Sequence, residues 1–289
     1  MKNIIIDTDI GDDIDDALAI VCAMQHPDIQ VEGITTSFRN ANKRAILAEK
    51  LANDYCTYNI PIYQGISQPF INKVDEDSPQ FKLVGNEERT YGNAVSFILK
   101  KVEENKNTKI IGIGPLTNIA AAIKENPKLF SGRELYIMGG MLGQAYPEWN
   151  IRMDPEAAHI VFMSGMKIYV TGLDLTMQTI LKEEEILRLK KIMNHRKTVL
   201  SEMYEIWESG SLYHPILHDV LAIMGIFDEK VVKYREACIQ IETSGNYTRG
   251  LMVERKKVFP DEVEYSANCY YGESFDRDMF INCLFTYIK

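Results

Sequence analysis

The stretch Ile4-Ile5-Ile6-Asp7-Thr8-Asp9-Ile10-Gly11-Asp12-Asp13-Ile14-Asp15-Asp16-Ala17-Leu18-Ala19-Ile20 decides how this chain is read. A β-branched apolar run gives way to six aspartates within ten residues, and an apolar helical run follows at once. That order predicts a buried strand, a turn and a helix start. Carboxylates gathered where a buried strand ends repel one another, so they must take up protons, spread into water or share a cation. One or two aspartates would serve as caps in a solvated turn. Six favour a shared cation, and ligands that are all oxygen select a hard ion, calcium or magnesium, over zinc.

The same strand-to-helix rhythm continues downstream. Strand-like runs at 3–6, 31–35, 60–63, 109–113, 134–138 and 167–170 alternate with helical stretches through about Met24, from about Asn40, and at 94–102, 117–124 and 155–163. Such alternation predicts crossover units and a mostly parallel, Rossmann-like open sheet flanked by helices, an α/β fold. Ligands of these sheets bind beyond the carboxyl ends of the strands. Residues 182–226 read as a charged helical excursion, in which Glu183-Glu184-Glu185 and Lys190-Lys191 are solvated faces without function. From Ile239 the chain is mixed, with a last helix at 276–287. No repeat or low-complexity linker divides it, so residues 1–289 are expected to form a single domain.

Composition narrows the partners. The chain has 289 residues, 46% of them hydrophobic, and a formal charge of −9 with no basic stripe, which argues against a nucleic acid polymer as ligand. Five scattered cysteines without paired spacing read as reduced thiols and suit the cytoplasm. A strand beginning right after Met1-Lys2, and the lack of a long apolar run, predict neither an export signal nor a membrane anchor.

Four further clusters lie where strands are expected to end. Gly33-Ile34-Thr35-Thr36 is followed by Arg39-Asn40, where the asparagine can cap a helix or reach a cleft. Gly114-Pro115-Leu116-Thr117-Asn118 is a tight turn whose carbonyls suit a hard metal, or simply a turn. Gly139-Gly140 opens a loop to Glu148-Trp149-Asn150 and Asp154-Pro155-Glu156, and a carboxylate, an indole and an amide side by side suit a polyol. His218-Asp219 precedes an apolar helix; alone, that histidine reads more readily as a packed or capping residue than as a catalyst.

Taken in order, these clusters, with Met138-Gly139-Gly140, Asp154-Pro155-Glu156-Ala157-Ala158 and Gly172-Leu173-Asp174, resemble the inosine-uridine-preferring nucleoside hydrolase family from about Ile4 to beyond Gly250. The resemblance implies a single α/β domain, a tightly held calcium ion, and hydrolysis of the N-glycosidic bond of ribonucleosides to ribose and free base. It also implies a homodimer or homotetramer acting on a small-molecule nucleoside. Carried over residue by residue, Asp9 matches the general base that also touches calcium, and Asp15 a ligand of ribose hydroxyls. Asp16 and Asp219 match calcium ligands, and Thr117 the residue whose backbone carbonyl joins them. Asn40, Glu148 and Asn150 match ribose contacts, His218 the histidine that protonates the leaving base, and Asp7 a supporting aspartate behind the metal.

The chain departs from the family pattern in three places. Ile10 stands where the family has proline, and Asp12-Asp13-Ile14 lengthens the turn by two, so Asp12-Asp13 compete with Asp15-Asp16 for the metal and ribose roles. The later pair is preferred because Ala17-Leu18-Ala19 follows it. The loop after Gly140 is short and lacks a Gly-Asn, with Gln144 as a substitute, and no histidine-bearing glycine-rich loop occurs between Gln68 and Gly92.

The residue types suit the chemistry implied. Breaking a ribosyl C–N bond builds positive character on the sugar and negative charge on the base, so a site must supply water, steady the sugar and neutralise the base. Two rivals remain at this stage: a nucleoside-binding protein without turnover, and a haloacid dehalogenase-like phosphatase using Asp7-Thr8-Asp9.

Overall fold

The computed structural model describes residues 1–75, 77–195, 197–228 and 230–288. The opening apolar run is β1 (Lys2–Thr8), and Asp15 begins α1 (Asp15–Gln25). Then follow β2 (Ile29–Thr36), α2 (Ala41–Tyr55), β3 (Ile62–Gln64), the two-residue β4 (Gly92–Asn93) and α3 (Ala94–Glu104). β5 (Lys109–Gly112), α4 (Thr117–Glu125), the short α5 (Pro127–Phe130), β6 (Glu134–Met138), α6 (Trp149–Met153), α7 (Pro155–Phe162) and β7 (Lys167–Thr171) complete the alternating part. The expected excursion is α8 (Leu173–Thr176), α9 (Glu183–Met193), α10 (Val199–Gly210) and α11 (His218–Phe227). β8 (Val232–Ala237), β9 (Ile239–Ile241), β10 (Met252–Glu254), β11 (Cys269–Phe275) and α12 (Arg277–Tyr287) close the chain.

The main sheet of the described residues runs β4-β3-β2-β1-β5-β6-β7-β11-β8. Every neighbouring pair in it is parallel except β11 with β8. β9 and β10 form a separate antiparallel pair. The fold is thus an α/β domain around a mostly parallel sheet with helices on both faces, as the rhythm predicted. β8 was not foreseen, because it lies between the charged helices and the point where strand character was expected to resume.

Strand alternation builds two cores. Ile4 and Ile6 enter one with Leu18 and Val21 of α1 and Val220 and Ile223 of α11, whereas Ile5 faces the other with Ile98, Ile119 and Val161. Burial on both faces is why β1 reads as an unbroken apolar run instead of an alternating one. Parallel strands also end on one side, so the turns after β1, β2, β5, β6 and β7 meet at a common edge. β1 sits centrally, with Asp7 paired to Thr35 of β2 and to Gly112 of β5. No helix of the described residues is long and apolar enough to cross a membrane.

Candidate active site

A cleft of about 690 Å³ opens beyond the carboxyl end of β1. Asp9, Asp12, Asp13, Asp15, Asp16, Glu148, Asn150, His218 and Asp219 contribute to its walls. The centre is built from two helix starts. Asp15 and Asp16 form the first turn of α1, and His218 and Asp219 that of α11, so each carboxylate sits at the positive end of a helix. The two starts are joined directly, since the Asp219 backbone N–H donates to Asp15 Oδ2 at 3.1 Å. Asp15, Asp16 and Asp219 are all buried, and each offers an oxygen within 4.8 Å of the others. Thr8 Oγ1 donates to Asp16 Oδ1 and accepts from the Ile10 backbone N–H at 3.0 Å, fixing one lip of this cluster.

Burial dominates the electrostatics. It pushes Asp9 up to about 7, partly offset by the Arg44 guanidinium, and Asp15 up to about 6, against several backbone N–H donors. Asp16 and Asp219 are pushed well above the ordinary carboxylate range by burial and then by the surrounding aspartates. Carboxylates that raise one another in this way are a cation site by charge, and the all-oxygen donor set fits a hard divalent ion. Asp9 stands beside the three. Gly114 makes this possible, because a Cβ there would lie 2.7 Å from Asp9 Oδ1.

The two aspartate pairs differ in their partners. Asp12 turns away from the cluster to Arg39 and Arg44, at 2.9 Å from each. Asp13 lines the cleft, and its Oδ1 accepts from the Ile14 N–H at 2.7 Å. Alanine at Asp12 is therefore expected to leave bound metal nearly intact while lowering the melting temperature, and alanine at Asp16 to strip the metal. Elemental analysis of dialysed proteins reads the difference, and the reverse pattern would put the metal site elsewhere.

The other expected residues divide. Glu148 caps α6, its Oε1 accepting from Asn150 N–H at 2.8 Å and its Oε2 from Gly140 and Ile151 N–H at 2.9 and 3.1 Å, and it also faces the cleft. Asn150 Nδ2 donates to the Met138 carbonyl at 3.2 Å, which fixes the amide at the end of β6. Asn40 is not among the residues lining the cleft; its Oδ1 caps α2 through the Lys43 N–H at 3.0 Å. The turn before it passes through Phe38 and Arg39 at φ 69° and 54°, which carries Arg39 toward Asp12 and leaves Asn40 at the helix start. Thr117 begins α4, and its hydroxyl donates to Asp154 Oδ2 at 2.7 Å. Asp7 is fully buried behind the cleft. Its Oδ1 accepts from Thr35 Oγ1 and Asn118 Nδ2 at 2.6 and 2.7 Å, and burial raises it to about 7. A nucleophile needs access to its substrate, so the phosphatase reading through Asp7 has no structural footing.

His218 lines the same cleft, next to Asp219. Its Nδ1 lies 2.7 Å from Thr176 Oγ1, and burial pulls it down to about 4, with Asp13 opposing. The cleft also has aromatic lining: Trp207 from α10, Tyr213 from the following loop, Tyr146 from the loop after β6, and Trp149 at the start of α6. Composition alone gave no hint that α10 supplies this wall. Asp154, Asn118 and Arg44 were likewise missed as organisers of the site, because their partners are remote in sequence.

Comparison with known proteins agrees with this geometry. Residues 4–282 match the family model described as inosine-uridine preferring nucleoside hydrolase. Uridine nucleosidase 1 of Arabidopsis thaliana is 32% identical over 84% of this chain and 79% of its own length. Non-specific ribonucleoside hydrolase RihC of Salmonella newport (strain SL254) is 29% identical over 87% of each. Among solved structures, a purine-preferring ribonucleoside hydrolase from Gardnerella vaginalis superposes with a TM-score of 0.82 at 26% identity, covering 99% of this chain and 98% of that one. With a family model spanning nearly all its residues and a carboxylate-lined cleft at the strand ends, this chain belongs to the inosine-uridine preferring nucleoside hydrolase family and is a nucleoside hydrolase.

Proposed function

We propose that the chain hydrolyses ribonucleosides with Asp9 as general base, His218 as proton donor to the departing base, and Asp15, Glu148 and Asn150 holding ribose. The observation that carries this reading is the convergence of Asp9, Asp15, Asp16, Asp219, Glu148, Asn150 and His218 on one cleft in a chain of this family. Asp16 and Asp219, with Asp9, would hold a calcium ion; Thr117, the fourth ligand that the resemblance implies, is not among the residues lining the cleft. When bound, such an ion supplies Lewis acidity and a fixed positive charge at the cleft floor.

The residues of the chain do the rest. Water adds to the anomeric carbon as the C–N bond breaks, and Asp9 takes the proton that the water loses. Burial raises Asp9 in the metal-free cleft, and a bound cation would hold it ionised and able to accept that proton. Asp15 accepts hydrogen bonds from sugar hydroxyls, and Asn150, whose Nδ2 is committed to the end of β6, presents its carbonyl oxygen to another. These bonds hold the ring while positive character builds at the anomeric carbon.

Proton donation by His218 uses its imidazolium form, which burial disfavours and the Asp13 carboxylate opposite it favours. The hydrogen bond between Nδ1 and Thr176 Oγ1 orients the ring, leaving Nε2 to pass its proton to the base nitrogen as that atom gains charge. His218→Ala is expected to lower kcat/KM on a natural nucleoside by about 10²–10⁴-fold. A p-nitrophenyl riboside, whose leaving group needs no proton, should be largely spared. Equal losses on both substrates would take His218 out of the mechanism.

Trp149, Trp207 and Tyr213 line the cleft, and aromatic side chains there suit a planar base. The turnover experiment is a reducing-sugar assay on a panel of purine and pyrimidine nucleosides; no release from any of them would leave only the binding role. A homodimer or homotetramer acting in the cytoplasm accords with the family resemblance, and light scattering in solution tests the assembly.

A further inference from the structure

We propose that Arg44 is a positioning residue for the turn that carries Asp9, with Asp12 as its counterion, an inference that rests on Asp9 being the general base. Arg44 is completely buried, and it lies near the start of α2, where a cation opposes the helix dipole. Burying a guanidinium is costly unless its donors are engaged. Here four of the five N–H donors are engaged by the site. Nε donates to the Phe38 carbonyl at 2.9 Å, and Nη1 to the carbonyls of Asp9 and, at 2.8 Å, of Ile10. Nη2 pairs with Asp12 Oδ2 at 2.9 Å.

One side chain therefore ties together the turns after β1 and β2. The second is conformationally costly, since Phe38 and Arg39 both adopt left-handed φ. The β1 turn contains no proline, so it lacks the stiffness that a fixed φ provides. Stiffness comes instead from outside the turn. Arg44 braces its inner side. On the outer side, Ser78 Oγ and Gln80 N–H both donate to the Gly11 carbonyl, and Gln80 Nε2 donates to that of Asp13 at 3.1 Å. Asp12 bridges Arg44 to Arg39, which explains an acidic residue in the inserted segment without a metal role.

A base displaced by even an ångström loses about 10²-fold in rate, so relaxing this brace should show in kcat. The test compares R44K, R44M, D9N and the double variant R44M/D9N as purified, calcium-loaded enzymes on uridine and inosine. Rates are normalised to the folded, calcium-loaded fraction. Both Arg44 variants should lower normalised kcat about 10- to 100-fold with KM changed less than about threefold, and R44M should slow D9N no further. R44K keeps the charge without the fork, so it carries the comparison if R44M does not fold. Losses that vanish on normalisation, or that multiply with D9N, would mean that Arg44 only stabilises the fold. Arg44 variants at full speed beside a slow D9N overturn this proposal alone; a D9N enzyme as fast as wild type overturns the base assignment and the proposal together.

Discussion

Asp9→Asn is expected to lower kcat by about 10²–10⁴-fold, the usual contribution of a positioned general base, while the chain stays folded. Asparagine keeps the shape of the side chain and one of its acceptor atoms, so Gly114 can still pack beside it. The substitution also removes one charge from a buried cluster in which the carboxylates raise one another. Metal-free Asp9→Asn at pH 8 should therefore melt no lower than the metal-free wild type, so that stability and activity move in opposite directions. Steady-state kinetics with parallel melting curves make the comparison. A loss below tenfold with metal retained would mean that another group takes the proton.

Removing the metal should have the second large effect, abolishing activity and reversing the dependence of stability on pH. The ordinary carboxylate value lies near 3.8, whereas folded Asp15 lies at about 6, Asp9 at about 7, and Asp16 and Asp219 are also raised. Between about pH 4 and 7 the metal-free folded chain holds protons that the unfolded chain has released, so its stability falls as pH rises through that window. A cation that needs the ionised carboxylates binds more tightly over the same range and offsets the fall. Melting curves at pH 5.5 and 8, with calcium and with a strong chelator, should show the chelated protein less stable at pH 8 and the loaded protein little changed or more stable. A chelated protein that gains stability toward pH 8, with activity intact, would falsify the cation site.

Much of the fold was legible because its signals are local. An apolar run too continuous for a half-buried strand, followed by acids and a helical run, specifies a parallel strand with a ligand-binding turn, and the next units repeat the pattern. The charged helices at 183–193 and 199–210 were legible as helices, but not the placement of Trp207 at the cleft. Helical periodicity shows that one face of α10 is buried, not what lies at its end. β4 has two residues and β8 follows a helix without a clear turn signal, so neither rose above its surroundings.

Within the site, the sequence by itself determined the chemical inventory: aspartates at the end of β1, Glu148 and Asn150 after β6, and a histidine and aspartate opening α11. Residue types and strand ends suffice for that, since carboxyl termini of parallel strands share one edge. Which aspartates meet was decided only by tertiary structure. Asp12 and Asp16 are alike in sequence terms, but Arg44, 32 residues beyond Asp12, draws Asp12 out, and Asp219, arriving on α11, closes the cluster around Asp15 and Asp16. Asn40 likewise had two possible fates, and the left-handed turn at Phe38 and Arg39 left it at the helix start. Charge partners separated by tens to hundreds of residues carry no local pattern. They are chosen by how the helices pack on the sheet, and that packing gathers Asp15 and Asp16 with Asp219 while it pairs Asp12 with Arg44.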